Sequence, residues 1–465
     1  MSKALECALA LKPHLRRAIY AEWSCNNFFP CYASIQLHGD PTVHNSDLVR
    51  FLLSRTDPFL RLSALLLWPF RAQRLVSKPL RDGIAFPVRT HSKAVLRFHT
   101  FFTDFYFYGT VRRILQAPHL APNERQQWER ILVEMVELVL QNQRKLQRDG
   151  QEFATFQFFP QSDLRLDGSS SGARFLRLSG LTNIDADADD TFVLLEMFAD
   201  VLALLQAEGL TGVSAERQKA LITAIEEILR LPYWQLARWY QFRLDGKTGP
   251  AVNYTSVEAM GGVSTWLGQS PEDTPDLVVN VNVLRSLLVN RWRWKVWETD
   301  KAAQLFHGMI DFLHRNVASG LFRTGRGYSF YIPEFFGAMF AKLWRAYLAL
   351  DPWERERLDP DKQLDAVRAA VLDYVAQDLH PALRNLNPLD AALAMTTTIQ
   401  LGQADATLLS RWAEVICDRF QEQTQPYGAY EIFKGKLPTH MVYGSEATTA
   451  TFVYEALDEL EAWLI

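Results

Sequence analysis

From about residue 190 onward the chain repeats one pattern: apolar side chains at steps of three and four, interrupted every few tens of residues by glycine or proline. That period places the apolar side chains on one stripe of a helix. It predicts helices over 192–207, 217–231, 277–289, 302–317, 335–350, 364–379, 389–401, 408–420 and 447–464. Upstream, 127–146 shows the same stripe through Trp128, Ile131, Leu132, Met135, Val136 and Val139. Gly209 and Pro232 stop two helices, 320–327 is a turn rich in Gly, Arg and Thr, and Gln425-Pro426-Tyr427-Gly428 is another break. The best strand signal is 151–159 (QEFATFQFF), one edge of a hairpin. Helices joined by short connections predict an all-α fold, an α/α barrel (toroid) or solenoid. The loop-like stretch 163–172 (DLRLDGSSSG) sets a boundary. Residues 1–172 then form an N-terminal helical region that closes the barrel or makes a reduced second helical unit, and 173–465 form the barrel domain.

The chain has 465 residues, 48% hydrophobic and 22% charged, a globular composition with material for a large core. Aromatic residues make up 12%, most of them core, but a pocket lined by ring faces would also attract cations. A net charge of −4 gives no nucleic-acid footprint and no general basic patch for anionic lipid. Cys7, Cys25, Cys31 and Cys417 form no CxxC pair, which argues against a zinc ribbon or redox motif and fits a reduced, cytoplasmic compartment. The first ten residues lack the apolar stretch of a signal peptide. The run 62–70 is too short to span a bilayer and reads as a buried helix or as a transient, peripheral membrane contact. There is no HExxH, GxSxG, P-loop or GxGxxG.

The densest chemistry lies in 184–196 (IDADADDTFVLLE), which has three readings. Asp187 and Asp190 suit the first turn of the following helix, where carboxylates accept free amide protons and complement the dipole. A cap uses one or two carboxylates, and more are present. As a calcium loop, Asp185, Asp187, Asp189 and Glu196 fall on ligand positions, but Asp190 stands where the sharp turn needs glycine. As an acid site, crowded carboxyls cannot all ionise cheaply, so repulsion and burial raise the pKa of one of them. A neutral carboxylic acid in a dry pocket can protonate an alkene or epoxide.

Asp187-Ala188-Asp189-Asp190-Thr191 resembles the DxDD(T) motif of class II terpene cyclases, the squalene–hopene cyclase and copalyl-diphosphate synthase superfamily. Gly261-Gly262-Val263-Ser264-Thr265-Trp266-Leu267 and Asp276-Leu277-Val278-Val279-Asn280-Val281-Asn282-Val283-Leu284 resemble segments of bacterial prenyltransferase/squalene-cyclase-repeat proteins. Gly327-Tyr328-Ser329-Phe330-Tyr331-Ile332-Pro333 and Tyr443-Gly444-Ser445-Glu446-Ala447-Thr448-Thr449-Ala450 are similar to others. The resemblance runs from about residue 175 to the end and implies an α/α barrel of the terpene cyclase β-domain type. It implies protonation-initiated cyclisation of a linear isoprenoid, prenyl diphosphates among the candidates. By position in the motif, Asp189 is the general acid and Asp187 and Asp190 tune it. No cofactor is required for that chemistry, and Mg²⁺ assists binding where the substrate is a diphosphate. QW repeats are absent, as is a DDxxD motif, which leaves a class I, diphosphate-ionising site unsupported.

Asn280 and Asn282 read either as caps and loop clamps or as partners of the acid, with Asp276 capping the same helix. Trp234, Trp239, Tyr240, Trp266, Tyr328, Phe330 and Tyr331 read as core or as a pocket wall that stabilises a carbocation and excludes water. The substrate contacts expected are Asn280, Asn282, Trp266, Tyr328, Phe330, Tyr331, Trp234 and Trp239, with no metal ligands. Arg323 and Arg326 read as a solvated loop or a diphosphate cradle. Two other classes remain open: a glycan-active α/α-barrel hydrolase or lyase with Glu258 or Glu334 as second acid, and a non-catalytic isoprenoid or lipid binder on a cyclase scaffold.

Overall fold

The computed structural model describes residues 2–26, 30–36, 96–158, 167–168, 185–207, 209–243, 259–268, 275–324, 331–383, 386–421, 426–427, 430, 432–434 and 440–465. These residues are mostly helical. The chain opens with α1 (Lys3–Ala10), α2 (Lys12–Asn26), β1 (Pro30–Gln36) and β2 (Leu96–His99). Next come α3 (Phe101–Gln116), α4 (Pro122–Gln141), the hairpin β3 (Arg144–Arg148) and β4 (Gln151–Thr155), and β5 (Asp167–Gly168). Helices α5 (Ala188–Ala207), α6 (Ala215–Leu229), α7 (Tyr233–Trp239), α8 (Leu277–Val289) and α9 (Asp300–Ala318) follow. Then come α10 (Pro333–Leu348), α11 (Pro352–Leu358), α12 (Gln363–Tyr374), α13 (Pro388–Gln400) and α14 (Ala406–Asp418). Strands β6 (Phe433–Lys434) and β7 (His440–Gly444) precede the last helix, α15 (Glu446–Leu464).

Six of these helices pack in cyclic order: α3 on α5, α5 on α8, α8 on α10, α10 on α13, α13 on α15, and α15 back on α3. Each also carries a further helix: α4 on α3, α6 on α5, α9 on α8, α12 on α10, α14 on α13, and α2 on α15. Burial separates the two sets. Twelve of the thirteen residues of α8 are buried, but only four of the fifteen in α6. A helix buried on all sides needs neighbours all round, whereas a single stripe needs one. The N-terminal helices α1 to α4 are therefore woven into the packing of the remainder: α2 and α3 touch α15, and α1 touches α14. Across that last contact lie the free thiols of Cys7 and Cys417, which neighbour one another.

An antiparallel sheet in the order β5-β2-β1-β7-β6 joins both ends of the chain, with Cys31 opposite Phe98 and Ala33 opposite Tyr443. β2 runs into Thr100, which caps α3, and β7 runs into Ser445, which caps α15. The sheet thereby fixes where two of the six helices begin.

The predicted helices from 192 onward are all present, with ends shifted by a few residues and 375–379 wound as a π turn. The helix expected over 127–146 stops at Gln141, and Arg144–Arg148 is a strand. Asp149 and Gly150 both have positive φ, 48° and 78°, a conformation that turns the chain into a tight hairpin. The apolar run at 62–70 lies outside the described residues. Among the described residues no helix is long and apolar enough to cross a membrane.

One turn has an unconditional need for glycine. Gly261 has φ +85°, and a Cβ there would overlap the backbone carbonyl of Gly308 in α9. Gly261→Ala is expected to destabilise the fold by about 1–3 kcal/mol through backbone strain and displacement of α9. A urea titration showing wild-type stability for this variant would contradict the close approach.

Candidate active site at the N-terminal ends of the cyclic helices

The acidic run crosses from extended chain into helix. Asp187 N–H donates to the Phe156 carbonyl (2.8 Å), Ala188 N–H to Thr265 O (2.7 Å), and Leu267 N–H to Ala186 O (2.7 Å). Residues 186–188 thus lie antiparallel to 265–267, and Asp187 forms a bridge with Trp266. Helix α5 starts at Ala188. Asp187 Oδ1 accepts the Asp189 amide (2.7 Å), and the Asp187 carbonyl accepts Thr191 N–H (3.0 Å). Asp187 is therefore the helix cap. Because 188–196 is helical, the calcium-loop reading fails, and Glu196 instead pairs with Arg285 Nε at 2.8 Å.

Asp189 is 1% exposed. Its Oδ1 accepts from Asn282 Nδ2 (2.8 Å) and its Oδ2 from the Tyr331 hydroxyl (2.7 Å). The Asn282 amide also reaches the Tyr106 hydroxyl (3.3 Å). The Tyr331 ring stacks on Phe335 (centroids 5.0 Å, planes 14° apart) and on Phe102 (5.6 Å, 26°). Tyr106 meets Phe102, Phe335 and Phe452 at 4.8–5.4 Å. The first halves of α3, α8, α10 and α15 and the start of α5 thus converge here, with a continuous group of rings beside the acid.

The electrostatics favour bound protons. Burial raises the Asp189 pKa, against the opposing hydrogen bonds from Tyr331 and Asn282 and the charge of Arg285. Asp190 is also 1% exposed, and neither carboxyl oxygen has a hydrogen-bond partner. Burial, then the charges of Asp189 and of the fully buried Asp104 on α3, push Asp190 well above the usual carboxylate range. The two carboxyls titrate as a coupled pair. Burial and the neighbouring Asp189 push the Tyr106 and Tyr331 phenols well up, so both remain neutral.

The raised Asp190 pKa fixes the sign of a pH effect. A carboxyl that is harder to ionise folded than unfolded contributes stability that is complete below the unfolded value, about 4, and is lost as pH rises through the folded value. Asp190→Asn is expected to flatten the fall in melting temperature between acid and neutral pH. Parallel profiles for the two proteins would show that Asp190 ionises freely.

The other expected site residues separate. Asn280 faces away from the acid: its Oδ1 accepts Val263 N–H (2.7 Å), and its Nδ2 donates to Val263 O (3.0 Å) and Asp276 O (2.8 Å). It clamps the Gly-Gly segment to α8, whose cap is Asp276. Trp266 is half-buried beside the cap. Trp234 and Trp239 lie on α7, which packs on α8 and α9, and Trp239 lies under the Arg148 guanidinium. Tyr328, Phe330, Arg326 and Glu258 lie outside the described residues. Glu334 accepts the Tyr374 hydroxyl (2.7 Å), and Arg323 pairs with Asp373 and Asp378. Both side chains are thus engaged with partners on or next to α12. Sequence reasoning missed Asp104, Phe102, Tyr106, Phe335 and Phe452. The signal was an aspartate inside the aromatic run 101–108 (FFTDFYFY).

A cavity of about 470 Å³ lies towards the other ends of these helices. Tyr106 and Arg285 belong to its wall, but Asp189 does not. Among the described residues, no three His, Cys, Asp or Glu side chains are grouped to hold a metal ion. Compared with protein-family models and with curated proteins, the chain matches none.

Proposed function

We propose that the protein is a class II, protonation-initiated terpene cyclase acting on a linear isoprenoid, with Asp189 as general acid. The observation that carries this is a buried carboxyl with a raised pKa set against the rings of Phe102, Tyr106, Tyr331, Phe335 and Phe452. We read the cyclic packing of six helices as the α/α barrel that the sequence resemblance implies. In this reading the N-terminal region completes the barrel, with α3 in its inner layer and α2 in its outer one.

The reaction conserves atoms. Asp189 transfers its proton to one carbon of a terminal alkene, leaving a carbocation on the other. The next double bond attacks that cation, closing a ring and moving the charge along. Loss of a proton from carbon ends the sequence, so product and substrate are isomers. Ring faces stabilise the travelling charge. Exclusion of water prevents its capture. The Asp189–Asn282–Tyr106 hydrogen bonds orient the acid, and burial opposes its ionisation. No redox step is involved, and with a diphosphate substrate Mg²⁺ would neutralise the head group.

Against a non-catalytic binder stands the cost of the site. A carboxyl with two unpartnered buried oxygens is expensive to keep and has no use in holding an apolar ligand. The test is incubation with farnesyl and geranylgeranyl diphosphate, squalene and a prenylated aromatic in H₂O and D₂O. The expected product is an isomer of one substrate that gains a single deuteron from D₂O. Unaltered substrates throughout, or a product without solvent hydrogen, would reject the reading.

A further inference from the structure

The cavity of about 470 Å³ does not have Asp189 in its wall. Its wall comes from the middle and later turns of α3, α5, α8, α10, α13 and α15. Most of its cations meet carboxylates in the same wall: Arg112 meets Asp200 (2.7 Å), Lys342 meets Glu455 (2.9 Å), and Arg113 and Arg345 both meet Glu459 (2.6 and 2.9 Å).

Arg285 differs. It is 3% exposed, its Nε is taken by Glu196, and its face lies over the Phe105 ring (5.6 Å). Both terminal nitrogens are buried without a hydrogen-bond partner. Two unmet donors on a buried cation are costly unless something accepts from them. The Gln400 carbonyl oxygen, in the same wall, is also buried and unpartnered.

A second observation comes from Gly109, inside α3 and on the cavity wall. A Cβ there would meet nothing within 4 Å. Glycine weakens a helix interior, and no close packing demands it at this position. Its effect is to leave the cavity open.

We infer that this cavity binds an oxyanion group, a carboxylate or phosphate, whose two oxygens take the terminal edge of Arg285. That edge presents parallel N–H groups at the spacing of two such oxygens. Where the ligand is a phosphate monoanion, its protonated oxygen is the matching donor for Gln400. The site is independent of the cyclase reading, since occupancy requires no turnover.

Calorimetric titration with octyl phosphate, octanoate, inorganic phosphate and 1-octanol tests it on the full chain. Octyl phosphate or octanoate is expected to bind wild type well above 1-octanol, and Arg285→Met to weaken that binding about 10- to 100-fold. Inorganic phosphate binding as tightly as octyl phosphate would identify a free anion as the occupant, and weaker binding an amphiphile. Gly109→Leu fills the open space and is a better helix former, so it should retain the wild-type melting temperature while losing the ligand. It decides the matter even if Arg285→Met fails to fold. Equal affinity for 1-octanol, unchanged binding in Gly109→Leu, or no binding of any probe to wild type would overturn the inference.

Discussion

Asp189→Asn is expected to reduce cyclisation by at least about 10²- to 10⁴-fold, the span attributed to a positioned general acid. Its melting temperature should stay close to wild type. The two expectations follow from the same geometry. Asn has the size and shape of Asp, so the carbonyl oxygen can still accept the Asn282 amide, and the new NH₂ can donate to the Tyr331 oxygen once that hydroxyl rotates. What disappears is the proton that a carboxylic acid can release and an amide cannot. Product analysis and thermal unfolding of the same preparation separate the outcomes. Normal turnover would remove Asp189 from the role of donor. Loss of folding would return the acidic run to a structural role, which Asp187 already performs as the cap.

The largest effect on stability is expected at Glu455. Its carboxylate is 8% exposed and lies 2.9 Å from Lys342 Nζ and 3.3 Å from the Arg113 guanidinium. Burial alone would raise its pKa, but Lys342, Arg113 and Arg285 outweigh that and hold it below the usual range. Burial moves Lys342 the other way, lowering its pKa even with Glu455 in contact, and the nearby positive charges of Arg285 and Arg113 lower it further. The carboxylate is stabilised by several cations, the ammonium by one hydrogen-bonded carboxylate.

Glu455→Ala therefore leaves a buried ammonium without its partner, a change of about 3 kcal/mol in a well-enclosed pair. Lys342 keeps 21% side-chain exposure, and Arg113 retains Asp458 and Glu459, which places the effect at the lower end. A depressed carboxylate contributes stability above its unfolded pKa, about 4.3, that is lost as pH falls through the folded value. The gap in urea midpoint between wild type and variant should thus be full at neutral pH and narrow in acid. A gap that is absent at pH 7, or constant down to pH 3, would show that the pair adds nothing.

The legibility of the fold follows burial. Helices with one apolar stripe, such as α9 and α14, announce themselves. α8 was legible to the residue because its cap, Asp276, precedes an apolar run of helical length. α3 was not. With twelve of its sixteen residues buried it has no polar face, and its aromatic run shows no period of three and four. Asp104, Phe102 and Tyr106 were therefore not placed as site residues, and the aspartate within the aromatic run was their one signal. The strands β1 and β7 pair across some four hundred residues of sequence, which no local pattern encodes. The Asp149-Gly150 turn was readable, but the stripe running up to it overrode the signal.

Within the candidate site, residue type was legible and direction was not. Asn280 and Asn282 are alike in sequence, but residues two apart on a helix point to nearly opposite sides. One holds the Val263 backbone and the other the acid. The Asp run showed that carboxyls would crowd. It did not show that Asp187 would cap, Asp189 meet the rings, and Asp190 stand without a partner.

The central claim is that the Asp189–Asp190 pair retains a proton at neutral pH. Infrared spectroscopy reads this directly, because a protonated carboxyl has a C=O stretch well separated from the carboxylate bands and shifted in D₂O. The account predicts such a band at pH 7 in wild type, missing from the Asp189→Asn/Asp190→Asn double variant. A difference spectrum containing carboxylate bands alone would contradict it.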